Sequence, residues 1–542
     1  MIRRKDLYTA LSDSAFRQPD KIALVETGTN KKISYHELLM QVDRAADMFF
    51  EHGIRKGDRV AVAHRNAIDT VVANFGLYKL GAVAIPMNFM VTKSEEIEFI
   101  LNNAQASAVV TQGEFIRHYT RCLPNLKTVN YIFSTDSIPS SAAENEKVQL
   151  FWEQIEKSTA HEETASAQAG LEDLAFILYT SGTTGQPKGA MLSHGNLAAN
   201  VISCAQIFKI GGEDCFLCLL PMFHSFAWTT CVVLPLYLGL KVVIVANVMP
   251  ASKWLGAMGT ENVTLILAVP QIYAVLSKEA KGLKQLYLRF WPFKKIRFAV
   301  SGAAPLTLEI KTRFEEKFGV PILEGYGLTE TSPVVSVNTE ELQKIKSVGP
   351  AIPSVSTIVL DDDGHEVPRN KEGELCVKGP NVFRGYWGNE KATHDAFTED
   401  GWFKTGDIVE IDDDGFIFIK DRKKDMIIIK GLKVFSAQVE AIICEHPAIE
   451  ECAIIGVPDG RGGEFIKLYA VKKEGAEVSD LEFRKFLKAN LDTYKRPRDF
   501  EFVEELPKNA LRKVLKRKLR EDAVAKLAAR TAAEAPAEET LA

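Results

Sequence analysis

GDRVAVAHRNAIDTVVANFGLYKLGAVAIPMN, residues 57–88, decides the fold of this chain. RVAVAH at 59–64 is an apolar run of strand length, and apolar residues then recur at helical spacing around 70–80. AVAIP at 82–86 reads as the next strand. A second round follows at once, with a helix at 94–103 and the strand SAVVT at 107–111. Strands alternating with helices specify parallel, right-handed βαβ units and a doubly wound α/β sheet.

Outward from this unit, residues 137–172 are rich in Ser, Ala, Glu and Gln and read as a surface excursion between two such halves. LAFIL at 174–178 reads as another buried strand. Past the turn-rich IDDDG at 411–415 and the charged run 421–425 the character changes. Strands at 451–457 and 466–473 with a helix at 480–490 make a small α+β unit. The expected organisation is a large N-terminal region, 1–423, of α/β subdomains, a small α+β C-terminal lid, 424–525, and an Ala/Glu-rich disordered tail, 526–542.

A chain of 542 residues has ample core volume for several such subdomains. Its formal net charge of −5 argues against a nucleic-acid-binding surface. Eight cysteines are scattered, mostly in apolar segments, as thiols are in a reducing compartment. The one close pair, Cys215 and Cys218, lies in the strand-like run FLCLLP and reads as core. The first residues lack the apolar core of a signal peptide. The longest apolar stretch, 231–248, is broken by Pro235, Gly239 and Lys241, which fits helix, turn and buried strand rather than a membrane span. The expected location is the cytoplasm.

The chemistry-bearing segments begin right after the 174–178 strand. YTSGTTGQPKGAMLSHGN, 179–196, packs Thr180, Ser181, Gly182, Thr183, Thr184 and Gly185 ahead of Lys188 and Gly189. Glycines let backbone N–H groups approach an anion, hydroxyls add donors and the lysine adds a point charge, a set suited to polyphosphate. The spacing is not that of the P-loop, which places its lysine directly after the second glycine. EGYGLTE at 324–330 follows the run VPIL, 320–323, which reads as a buried strand. There Gly325 and Gly327 bracket Tyr326, whose ring can lie on a flat base, Thr329 can donate to a phosphate and Glu330 can hold a hard cation. In the T-G-D turn Asp407 can accept two ribose hydroxyls, with Arg422 approaching from the far side. Singly, each segment is an ordinary turn or charged run.

Together, in this order, the segments resemble the adenylate-forming superfamily of acyl-CoA synthetases, peptide-synthetase adenylation domains and luciferases. The run 401–431, with W-F-K-T-G-D and D-R-K-K-D-M-I, is closest to bacterial medium- or long-chain fatty acyl-CoA synthetases. The resemblance implies ATP, Mg2+ and coenzyme A, with Glu330 and Thr184 toward the metal. It also implies a lid hinge at Lys424 and a coenzyme A phosphate contact at Lys433. LPKNALRKVLKRKLR, 506–520, matches the terminal P-K-x-x-x-G-K element and places Lys513 on the adenylation lysine. Its ammonium would bridge the substrate carboxylate and the α-phosphate. Arg512 stands where the family has glycine.

PMFHSFAW, 221–228, matches the acyl pocket and puts His224 beside the reacting carboxylate, not as a general base. Trp228, four residues on, shares its helix face and either gates an apolar tunnel or fills core. The small residues Gly302, Ala303 and Ala304 leave room for a ligand chain or serve tight packing. The implied reaction is ATP-dependent ligation of a fatty acid to coenzyme A through acyl-AMP. An amino-acid adenylator is disfavoured because no acidic residue occurs between 221 and 240. An acyl-AMP ligase that loads an acyl carrier protein is the open alternative, although the N-terminal insertion usual there is not evident. A third reading is a non-catalytic ATP-binding or membrane-surface protein that uses RFWPFKKIRF, 289–298, for loose association with a membrane; Lys513, Glu330 and Asp407 together argue against loss of catalysis.

Overall fold

The computed structural model describes residues 3–167, 169–180, 186–429, 432–458, 464–509 and 513–534, the last seven for backbone only. The chain divides into two compact units, 1–357 with 376–404, and 358–375 with 405–542. The first unit bears out the α/β reading with two large sheets. In one, the strands run in the order Val148–Leu150, Tyr131–Ser134, Ala106–Thr111, Arg59–Ala63, Val83–Pro86, Leu174–Thr180 and Lys188–Ser193. All pairs are parallel except the last, an antiparallel hairpin. The other sheet has eight strands, parallel from Ile22–Thr27 to Ile322–Gly327 and closed at each edge by an antiparallel strand.

Helix Ile68–Leu80 explains why the opening stretch is apolar on every side: all its residues but Asp69 are buried. It packs against helix Tyr35–Glu51, which starts at a Ser34/Glu37 capping box. Gly76 permits that approach, since a Cβ there would lie 2.9 Å from the Ala45 methyl. The 137–172 segment is not merely an excursion. Val148–Leu150 adds a parallel strand to the sheet edge, followed by helices Phe151–Lys157 and Glu162–Ser166. Three residues are too few for a periodicity to show. Cys215 and Cys218 are buried on strand Cys215–Cys218, and all eight cysteines are free thiols.

In the second unit Ile449–Pro458 pairs antiparallel with Glu464–Lys472, which pairs parallel with Asp499–Phe502. Helices Ser436–Ile443, Asp480–Asn490 and Lys516–Glu534 complete an α+β layer. The compact units part at 404/405. Most of the four-stranded sheet Ser356–Leu360, Glu372–Lys378, Phe403–Ile411, Ile417–Arg422 thereby falls in the second. The last helix runs on to Glu534, into the segment read as a tail, because its Ala, Lys and Arg residues are strong helix formers. Residues 535–542 lie outside the described residues. Among the described residues no helix is long and apolar enough to cross a membrane.

Candidate active site

In the first unit the glycine- and hydroxyl-rich segment bridges two antiparallel strands, with Thr180 opposite Lys188 in register. Ser181, Gly182, Thr183, Thr184 and Gly185 lie outside the described residues, so the fit of Thr184 to a metal falls there too. The edge of this hairpin carries a segment that sequence reasoning missed. Met191 N–H donates to Gly385 O, Arg384 N–H to Met191 O and Trp387 N–H to Gly189 O. That pairing sets Tyr386 with its ring 5.1 Å from the Lys188 ammonium and its hydroxyl donating to Glu330 Oε1 at 2.9 Å. Burial, and then the Glu330 charge, holds the phenol far above its usual range, so it remains a donor.

Glu330 and Thr329 open a short turn, Thr329–Thr331, directly after strand Ile322–Gly327. Gly325 and Tyr326 pair with Val337 and Ser336 on the neighbouring strand, and Tyr326 is half-buried. A side chain at Gly327 would overlap the Pro333 carbonyl, so strand packing by itself accounts for that glycine. Burial pushes the neighbouring Glu324 carboxyl up to about 7.

His224 precedes the helical turn Ser225–Ala227, and its carbonyl accepts from Trp228 N–H at 2.9 Å. Ser225 Oγ lies 3.4 Å from Thr329 Oγ1, which brings the 221–228 and 324–330 segments together. Gly302 joins them, since a Cβ there would meet the Phe226 ring at 3.4 Å and Gly325 O at 3.7 Å. Ala303 holds a left-handed φ of 68°, a conformation that a side chain disfavours and that surrounding structure must enforce. His224 Nε2 and Ser301 Oγ are both buried without a hydrogen-bond partner. Such atoms are costly unless a ligand or water completes them. Burial pushes His224 down to about 4, so the imidazole is neutral near pH 7. Trp228, by contrast, is 1% exposed, packs against Phe75 and Phe176, and donates its indole N–H to Tyr78 at 3.1 Å. In this conformation it fills core.

In the second unit Asp407 and Arg422 are cross-strand partners joined by a 2.7 Å ion pair. The T-G-D run, expected as a turn, lies within strand Phe403–Ile411; there Gly406 holds a φ of 72°, which suits glycine, and its carbonyl accepts from Lys423 N–H. Lys424 follows in the turn that Asp425 N–H and Met426 N–H close onto Arg422 O. Lys433 pairs with Asp362 at 2.7 Å on the surface. Asn509 N–H donates to Lys513 O, and Lys513 N–H to Asn509 Oδ1. The residues between, 510–512, including Arg512, lie outside the described residues. Two ion pairs anchor this loop, Lys508 with Glu451 and Lys516 with Glu440, each at 2.7 Å. Although Lys513 is an exposed residue, desolvation of its amine pushes the pKa down to about 8. The charge of Arg422 adds to the fall and that of Asp407 opposes it, so Lys513 feels the Asp407–Arg422 pair.

The chain matches the AMP-binding enzyme family over residues 11–387 and the AMP-binding enzyme C-terminal domain over 438–513. It is 34% identical to the long-chain-fatty-acid–CoA ligase of Bacillus subtilis (strain 168), covering 96% of this chain and 94% of that one. It is 32% identical to the feruloyl-CoA synthase of an Amycolatopsis species, covering 93% and 96%. Among solved structures, ATP-bound MatB from Rhodopseudomonas palustris superposes with a TM-score of 0.85 at 29% identity, covering 96% of this chain and 99% of that one. With both domains matched in order and near-full-length relatives on either side of 33% identity, this chain belongs to the AMP-binding, adenylate-forming family of enzymes.

Proposed function

We propose that the protein is an ATP-dependent fatty acid–CoA ligase that works in two half-reactions. In the first, a carboxylate oxygen of the acid attacks the α-phosphorus of ATP, and the bond to the β-phosphate oxygen breaks to release pyrophosphate. In the second, the thiolate of coenzyme A attacks the acyl carbonyl and AMP leaves. Thr180, Ser181, Gly182, Thr183, Thr184 and Lys188 cradle the phosphates, Tyr326 lies against adenine, and Asp407 with Arg422 holds the ribose. Glu330, with Thr184, would hold Mg2+, which neutralises phosphate charge when bound. Lys513 steadies the negative charge shared by carboxylate and α-phosphate in the first step only. Lys424 is the hinge that withdraws it, and Lys433 meets a coenzyme A phosphate in the second.

The observation that carries this reading is the meeting of segment 221–228 with Thr329 through Ser225 and with Gly302 through Phe226, in segments that also hold two unpartnered buried polar atoms, His224 Nε2 and Ser301 Oγ. A neutral imidazole there can donate to a carboxylate but cannot store a proton near pH 7. The choice of a fatty acid rests on the Bacillus relative, the 401–431 match and the absence of any acidic residue between 221 and 240. The test incubates the protein with ATP and saturated acids of increasing length, with and without coenzyme A. Each buried methylene adds about 0.8 kcal/mol, close to fourfold in affinity. The specificity constant therefore climbs with length and then breaks off. A peak at acetate, or a preference for ferulate over every fatty acid, defeats the fatty-acid reading and leaves adenylation standing. Transfer to a carrier protein but not to coenzyme A replaces the thiol acceptor.

A further inference from the structure

Helix Gly282–Phe290 turns the usual logic of an amphipathic helix outward. Leu283, Leu286, Tyr287 and Phe290 fall at i, i+3, i+4 and i+7, the spacing that normally marks a face buried in a core. Here that stripe is exposed, with Leu283 at 85% and Phe290 at 65%, and only Leu288 on the helix is buried. Trp291 extends the stripe: its ring lies 5.3 Å from that of Tyr287 and packs over Gly259. The helix is held from beneath by Leu288 and by Phe293, which stacks on Phe318 at 4.2 Å. The stripe is thus a fixed feature and not a frayed end.

The charge around it is equally one-sided. Residues 278–295 carry six exposed cations, Lys278, Lys281, Lys284, Arg289, Lys294 and Lys295, against one anion, Glu279. This local excess of five positive charges sits in a chain whose net charge is −5. Among the described residues only Lys284 has a carboxylate partner, Glu279 at 3.3 Å, and Arg289 donates to the Glu316 carbonyl.

We propose that this face docks the protein on an anionic phospholipid bilayer, with Leu283, Leu286, Tyr287, Phe290 and Trp291 in the headgroup–acyl boundary and the lysines on lipid phosphates. A short apolar stripe rimmed by lysine and arginine is the pattern of a helix lying in a membrane interface. A second copy of the chain is a poor occupant, because a two-fold contact would set one excess of positive charge against another. An aromatic and aliphatic wedge alone would suit any apolar partner. The unpaired cations select a negatively charged one.

The experiment is vesicle flotation of the full-length protein, using phosphatidylcholine alone and phosphatidylcholine with about a third phosphatidylglycerol. Binding to the anionic vesicles only, weakened as salt rises, is expected. The double variant Leu283→Glu/Phe290→Glu should lose at least about tenfold in partitioning. The triple variant Lys281→Gln/Lys294→Gln/Lys295→Gln should lose about fivefold per cation removed. All five positions are exposed, so the thermal midpoint and turnover of a fully dissolved acid should be unchanged, whereas turnover of an acid delivered in anionic vesicles should fall. Failure of the unaltered protein to float, or equal flotation of both variants, overturns the proposal. Loss of a concentration-dependent dimer in Leu283→Glu/Phe290→Glu, with no vesicle binding at any stage, also overturns it and assigns the face to self-association.

Discussion

At the residue scale, Lys513 carries the sharpest expectation. Lys513→Ala should cost ~10²–10³ in the rate of acyl-AMP formation. It should leave thioester formation from pre-made acyl-AMP close to normal, as single-turnover assays of each half-reaction will show; an equal loss in both contradicts the assignment. Because the Lys513 pKa is lowered to about 8, the amine is charged below that pH and loses its charge as pH rises through it. The kcat/KM for adenylation, which reports the free enzyme, should fall toward tenfold per pH unit above about 8. Lys513→Arg should abolish this alkaline break at a lower absolute rate, which distinguishes it from the titration of Glu324 near 7. In the proposed reading Tyr386, whose hydroxyl donates to Glu330, is a positioning residue that acts through that carboxylate. Removing a hydrogen bond to a charged group costs about 1.5–3 kcal/mol. Tyr386→Phe should therefore raise KM for Mg-ATP roughly ten- to a hundredfold, with far less effect on the second half-reaction. A change in kcat alone would detach Tyr386 from the nucleotide site.

Elements differ in how much of them the sequence exposes. The strands at 59–63 and 106–111 and the helix at 94–103 were legible to within a residue or two, because each is long enough to show its own apolar pattern. Val148–Leu150 was not, since an edge strand of three residues owes its existence to the neighbour it pairs with. Tyr386 was illegible for a similar reason: its place depends on pairing with strand Lys188–Ser193, about two hundred residues earlier, and the surrounding GYWG carries no chemistry of its own. The motif segments were legible as a set, by their order and not by any single spacing. The two readings of Trp228 now separate by measurement. Its burial and its bond to Tyr78 predict that Trp228→Ala costs about 3–5 kcal/mol of stability. The thermal midpoint should drop markedly. An unchanged midpoint with a shifted chain-length limit would instead make the ring part of the acyl site.

On the scale of the whole molecule, the residues proposed for one reaction fall in two compact units. Lys188, His224, Thr329, Glu330 and Tyr386 belong to the first, and Asp407, Arg422 and Lys513 to the second. The reaction itself ties these assignments together, because every one of them presupposes that the acid is activated on the α-phosphate. An acid labelled with 18O in both carboxylate oxygens tests this directly. When ATP, coenzyme A and the labelled acid are turned over in ordinary water, one labelled oxygen should appear in AMP and one should stay in the thioester carbonyl, as read by mass spectrometry. Label in inorganic phosphate with ADP as the nucleotide product, or AMP free of label, would contradict the adenylate route.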